Sequence, residues 1–371
     1  MIRLSKSVVG TKESQAVKRV IEDVGYLGMG EKVREFEVAI EKYLESGDYK
    51  CVCVNTGTSA LHLAVESVTV PGDEILVQSL TYVSSFQAIA AANCTPVACE
   101  VYPDTLTINL EDAEEKLTKR TKAIMPVHYA SNPGNLDQIY AFAKKHKLRV
   151  IEDAAHAFGC TYKGKKIGSF GDIICFSFDG IKNITSGEGG AILTNDHSVL
   201  DKIKDARLLG VVKDSEKRYA GERSWDFDVY GRGFRYHMSN IFAAIGLVQL
   251  SRLENELGPK RKLLKELYVK ELSNIKGIKM QMVYTNAEII PHIMPIMIQN
   301  GKRNLIRKAL LDEDIQVGIH YKPNHLLSYF NNGVKLEFTE KIYDELLTLP
   351  LHPDLSLKEV KYICNIIKKN I

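Results

Sequence analysis

Lys182 stands between an apolar, β-branched run, IICFSF (173–178), and the glycine-rich stretch GEGG (187–190). With Asp153 and His156 upstream in VIEDAAHAFG, an amine so placed has the partners to form an imine with an aldehyde cofactor whose ring nitrogen faces the carboxylate. Pyridoxal phosphate (PLP) fits that description. Lys182 would then serve twice, as the Schiff-base amine of the resting protein and, once displaced by substrate, as the base that moves a proton between two carbons. Both tasks need a neutral amine, so its pKa must fall well below the free value of roughly 10.4 through imine formation and desolvation. Asp153 closes a strand with an apolar interior and needs a cation there, which a protonated pyridine nitrogen supplies; a helix N-cap before AAHAF is the competing account. His156, one helical turn later, is placed either beside the ring's phenolic oxygen or as an ordinary core or surface histidine.

Other residues supply the rest of such a site. The run CVCVN (51–55) leads into TGTSALHLAV, where Gly57 permits close backbone approach and Thr58 and Ser59 open a helix. Free amides and hydroxyls at a helix N-terminus suit a phosphate, although a plain capping role explains Thr and Ser there too. Ser177, five residues before Lys182, can add a hydroxyl to the same anion. Tyr82, after another strand, offers a ring to stack on a flat cofactor or simply to pack. Gly187, Gly189 and Gly190 allow a turn close to a ligand, or a simple hairpin.

These residues need a scaffold of strands and crossover helices. Strands are expected at 51–55, 74–78, 96–101, 123–127, 149–153, 173–178 and 191–194, and helices at 58–68, 82–92, 110–116 and 136–145. The alternation predicts an α/β protein with a mostly parallel, helix-covered sheet, whose ligands collect beyond the carboxyl ends of the strands. A long helix from about Met238 leads into further helical and strand-like segments around IIPHIMPIMI and DIQVGIHY. They are expected to form a small domain at 251–371, after a large domain at 1–250. At 371 residues, two domains are the default.

Bulk properties exclude several classes. A net charge of +3 without a basic run implies neither nucleic acid nor an anionic membrane as partner. Seven cysteines without a CxxC pair argue against a disulfide framework or a thiolate zinc site, and Cys51 and Cys53 read as small buried hydrophobes. With no signal pattern in MIRLSKSVVG and no long apolar stretch, a cytoplasmic location is expected.

The order TGTSA, VIEDAAHA, FSF-x-x-x-K-N-I-T-x-G-E-G-G and AAIGLVQL resembles the DegT-type sugar-nucleotide aminotransferases, across nearly the whole chain from GYLGMGEKVREFE (25–37) to TLPLHPDLS (348–356). The resemblance implies the aspartate aminotransferase fold, fold type I of PLP enzymes, with a smaller C-terminal α/β domain. It makes Lys182 the aldimine lysine, Asp153 the pyridinium partner and Tyr82 the stacking ring. Gly57, Thr58, Ser59 and Ser177 become phosphate ligands, and His156 stands where the family has Gln or His. It further implies a homodimer with shared active sites, L-glutamate as amino donor and a nucleotide-linked keto-deoxysugar as acceptor. The ITSGEGG form looks more like enzymes aminating C4 than C3, and the lysine argues against the sugar dehydratases, in which histidine replaces it. An intact set of cofactor residues argues against a non-catalytic regulator on the same fold.

Two stretches depart from the family pattern. GFRYHMSNI puts Arg235 at an Asn position and His237 at an Arg position, in a loop that reaches the partner subunit's cofactor phosphate in relatives. HYASNPGNLD (128–137) replaces a usual Tyr-Gly pair. GIHYKPNHLLSYF resembles the strip beside the sugar-nucleotide entrance, which makes His320, Tyr321 and His325 substrate candidates and places Lys322 to meet a diphosphate or water.

Overall fold

The computed structural model describes residues 1–371. Its strands are β1 (Lys50–Val54), β2 (Glu74–Gln78), β3 (Thr95–Cys99), β4 (Thr121–Met125), β5 (Arg149–Asp153), β6 (Thr161–Tyr162), β7 (Lys165–Lys166), β8 (Ile173–Ser177), β9 (Gly190–Thr194), β10 (Ile278–Met280), β11 (Ala287–Glu288), β12 (Met294–Ile298) and β13 (Leu346–Leu349). Seven form one sheet in the order β1-β9-β8-β5-β4-β2-β3, in which only β9 runs against its neighbours. Such a sheet is covered on both faces, so its strands are apolar throughout rather than alternating with polar residues. The period-2 geometry is visible in β1. Cys51 and Cys53 enter a 37-residue core on one face, while Val52 and Val54 enter a 23-residue core on the other.

The expected strands 74–78 and 149–153 match β2 and β5, and the other strands and the four helices begin and end within two residues of expectation. The segments that follow β1, β2, β5 and β8 open at the same edge of the sheet, its carboxyl end, where Gly57, Tyr82, Asp153 and Ser177 lie.

A second sheet, β10-β12-β13, packs with helices Gly258–Leu272, Arg303–Asp312 and Leu357–Asn370 around its own core of 19 buried residues. The expected boundary near Leu250 falls inside a helical run that continues from Asn240–Arg252 through a wide turn at Leu253–Leu257 to Leu272. Leu250, Leu253 and Leu257 belong to the large core, and Leu264 is the first of the run in the small one. The opening residues also join the small unit: Ile2 bridges Ile315, and Leu351 N–H donates to the Leu4 carbonyl at 3.1 Å. DIQVGIHY, expected to be strand-like, makes only isolated bridges at Ile315 and Gly318.

Candidate active site

The turn after β1 is built for close approach. Helix Gly57–Val68 is capped by Thr56, whose hydroxyl accepts from Ser59 N–H at 3.0 Å, so the cap falls on Thr56 rather than on Thr58 or Ser59. The Ser59 hydroxyl is itself engaged, donating to Asn55 Oδ1 at 2.7 Å. The amides of Gly57 and Thr58 have no acceptor in the chain, and the Thr58 side chain is exposed. A Cβ on Gly57 would lie 2.7 Å from Ser177 Cβ, and one on Gly190 would lie 2.4 Å from the Thr56 carbonyl oxygen. Glycine at both positions therefore brings the helix N-terminus, Ser177 and β9 together into one cradle.

Asp153 ends β5 with 4% exposure. Its Oδ2 accepts from Ser85 Oγ at 2.7 Å and its Oδ1 from Ala155 N–H at 3.2 Å. Turns rather than a helix follow it, so the N-cap account does not apply and His156 is not one helical turn away. No Lys, Arg or His side chain forms an ion pair with this buried carboxylate, which suits a cationic ring nitrogen.

His156 is buried, and its Nδ1 accepts from Ala130 N–H at 3.3 Å. That contact assigns the ring proton to Nε2, which faces the Tyr321 hydroxyl at 3.2 Å and is available as a donor. The HYASNPG stretch thus finds a role. It forms a short turn, Tyr129–Ser131, and the Ser131 hydroxyl donates to the His156 carbonyl at 2.5 Å while accepting from His292 N–H at 3.0 Å.

Lys182 is half-buried in the loop after β8. Burial pushes its pKa down to about 8, against the opposing pull of Asp153 and Asp179. Its Nζ is 3.5 Å from His292 Nε2. His292 was not anticipated from sequence. It precedes β12, its ring centroid lies 4.4 Å from that of His156, and burial, then Lys182, hold its pKa well below the ordinary value. The same causes push His320 down to about 4, while burial followed by the Lys182 charge lowers His156. Ser85, which donates to Asp153, and Ser131, which bridges His156 and His292, also line this cluster and were not singled out from sequence. His292, a lone histidine after a proline and before an apolar run, left a signal, as did the departure at 128–137 that contains Ser131.

The substrate candidates divide. Tyr321 lies between His156 and Tyr82, whose ring is 5.4 Å away and whose outer face is exposed. The His320 carbonyl accepts from the Tyr129 hydroxyl. His325, in contrast, is 1% exposed and bonded on both nitrogens, to Ser79 Oγ at 2.7 Å and Glu340 Oε1 at 3.3 Å. It fastens the loop to the end of β2 and has no nitrogen left for a ligand. Arg235 is exposed beside the cradle, its carbonyl 3.4 Å from Asn55 Nδ2, and it pairs with no carboxylate of its own chain. His237 is partly buried, with a pKa lowered to about 4 by burial and then by Arg235.

Residues 8–368 match the family model described as the DegT/DnrJ/EryC1/StrS aminotransferase family. The chain belongs to this family. Among curated relatives, the spore coat polysaccharide biosynthesis protein SpsC of Bacillus subtilis is 34% identical over 98% of this chain and 95% of its own. The sugar aminotransferase CalS13 of Micromonospora echinospora superposes with a TM-score of 0.91 at 28% identity, covering 100% of both chains. Spr1654 of Streptococcus pneumoniae, solved in PLP and PMP forms, gives TM-scores of 0.89 and 0.90 at 29% identity, over 99% of this chain and 97% and 96% of its own. The DegT-family chain is thus a PLP-dependent sugar aminotransferase of fold type I. Its residues fit that cofactor: the cradle at Gly57, the unpaired buried carboxylate of Asp153 and the lysine amine of depressed pKa. No helix is long and apolar enough to cross a membrane.

Proposed function

We propose that this enzyme transfers an amino group from L-glutamate to a nucleotide-linked keto-deoxysugar, at C4 in preference to C3, in the cytoplasm and for a surface polysaccharide or glycoconjugate. The observation that carries the reading is the convergence of Lys182, Asp153 and the Gly57 cradle at the carboxyl ends of β8, β5 and β1 in a chain of sugar aminotransferase family. Bound PLP would supply the electron sink for a substrate carbanion. The amides of Gly57 and Thr58, with the Ser177 hydroxyl, would hold the phosphate, and Ser59 orders the turn beneath it. Asp153 would hold the ring nitrogen, His156 Nε2–H would donate to the ring oxygen, and Tyr82 would stack. A Lys182 amine with a pKa of about 8 is in part neutral near neutrality and so able to take up a proton at Nζ.

The preference for C4 rests on the ITSGEGG form, and the polysaccharide context on the likeness to SpsC. His320 and Tyr321 stand at the rim, and the exposed Lys322 beside them suits a diphosphate. A homodimer is part of the reading, with Arg235 of each protomer reaching the other's cofactor phosphate. Exposed Trp225, Phe227 and Tyr230, in the segment leading to Arg235, support it. Turnover with glutamate against UDP-, GDP- and dTDP-linked 3-keto and 4-keto sugars, with the new amine located by NMR, tests the proposal. Amination at C4 of one of them is expected, and inactivity across the panel with cofactor bound would overturn it.

A further inference from the structure

Two arginines are fully buried, and they are treated differently. Arg207 has a carboxylate, Glu37 Oε1, at 2.7 Å. Arg261, 2% exposed on helix Gly258–Leu272, has none, although burial lowers its pKa only to about 10 and it remains a cation at neutrality. A buried charge without a counter-ion is costly unless dipoles surround it. Here the dipoles are five backbone carbonyls. Nη1 donates to Pro291 O (3.3 Å), His292 O (3.1 Å) and Leu351 O (3.4 Å), and Nη2 to Ile181 O (3.4 Å) and Lys182 O (3.3 Å). One side chain of the small unit therefore grips the loop that carries the amine and the segment that carries its imidazole neighbour.

We propose that Arg261 is a positioning residue for the Lys182 amine: its planar fork holds the Lys182 and His292 backbones at the separation that sets Nζ beside His292 Nε2 and keeps water from between them. The proposal rests on Lys182 being the reactive amine. A lysine at 261 would keep the charge but not the fork, so the geometry can be separated from the charge. The groups facing Lys182 are Asp153 and Asp179, which favour its protonated form, and the histidines His156, His292 and His320, whose pKa values are all lowered. Loosening the grip admits water to Nζ and raises its pKa toward the free value.

The test is competitive labelling of the full-length, cofactor-free chain with acetic anhydride as a function of pH, with the Lys182 peptide followed by mass spectrometry. Both Arg261→Lys and Arg261→Gln are expected to raise the Lys182 midpoint by one unit or more, which slows its modification at pH 7 about tenfold. Thermal melting and near-UV circular dichroism of the same samples report folding separately. An Arg261→Lys chain that folds like the wild type and keeps the wild-type midpoint overturns the proposal, since a merely structural arginine would behave so. Where Arg261→Gln does not fold, Arg261→Lys decides alone. If borohydride fixes the cofactor to a different lysine, the reading of Lys182 fails, whatever the labelling shows for Arg261.

Discussion

At the residue scale, the environments of Lys182 and Asp153 suit the roles proposed for them. The first is an amine whose pKa burial lowers to about 8, and the second is a carboxylate whose oxygens meet only a hydroxyl and an amide. Lys182→Ala is expected to lower turnover about a thousandfold or more, and to abolish covalent capture of cofactor by borohydride. Asp153→Ala should cost about a hundredfold or more in kcat. Both are read by steady-state kinetics on the cofactor-loaded protein. Both residues were legible as candidates because the chemistry read for them needs particular side chains at or just beyond strand ends. His325 misled for the opposite reason: a polar residue in a turn looks available until its partners, 246 and 15 residues away, are known. His325→Phe should therefore reduce stability by about 1–3 kcal/mol in urea unfolding, because Ser79 loses its buried partner, and should leave the sugar KM unchanged. A tenfold rise in KM without loss of stability would restore it to the substrate site. The Arg235 and His237 exchange also resolves at this scale. With His237 neutral at pH 7, the loop keeps one cation, moved two residues toward the N-terminus of the motif.

At the scale of elements, strand and helix order followed from hydrophobic period and from Gly, Thr and Ser at the turns, and those elements delivered the cradle. Arg261 was invisible, and the setting of His292 was hidden, because their partners come from another unit. Periodicity along one segment carries no record of what a distant segment lays against it. Gly190→Ala tests the cradle. Its Cβ would meet a backbone oxygen at 2.4 Å, which cannot swing away, so the turn before Gly57 must shift. Weaker PLP affinity by about tenfold or more is expected by fluorescence titration, with secondary structure retained. The histidine cluster gives a pH signature. His156, His292 and His320 have folded-state pKa values below their unfolded value of about 6.5, so below that pH the unfolded chain takes up protons that the folded chain refuses. Stability falls as pH falls through this window, down toward the folded value of about 4 for His320. His292→Gln should flatten the dependence near pH 5.5 by about 1 kcal/mol per pH unit, measured by urea unfolding across pH 5–7. An unaltered slope would mean that His292 titrates normally.

At the scale of the whole molecule, the segment 225–235 presents Trp225, Phe227 and Tyr230 to solvent, 86%, 56% and 82% exposed, beside an arginine that pairs with no carboxylate of its chain. If this surface is where two copies meet, Trp225→Ser with Tyr230→Ser should shift the mass in analytical ultracentrifugation toward the monomer and weaken cofactor retention in the same sample. Monomeric protein that holds PLP as tightly as the parent would separate assembly from the site. The order of the chain has one more effect. Residues 2–6 are synthesised before the sheet, yet Ile2 bridges Ile315 and Lys6 pairs with Asp354 at 2.6 Å. During translation that short ribbon must stay unpaired while the seven-stranded sheet is made, and it docks only after more than three hundred residues have followed it. Loosening that ribbon, as by Lys6→Ala, would thus burden a late step of assembly rather than an early one.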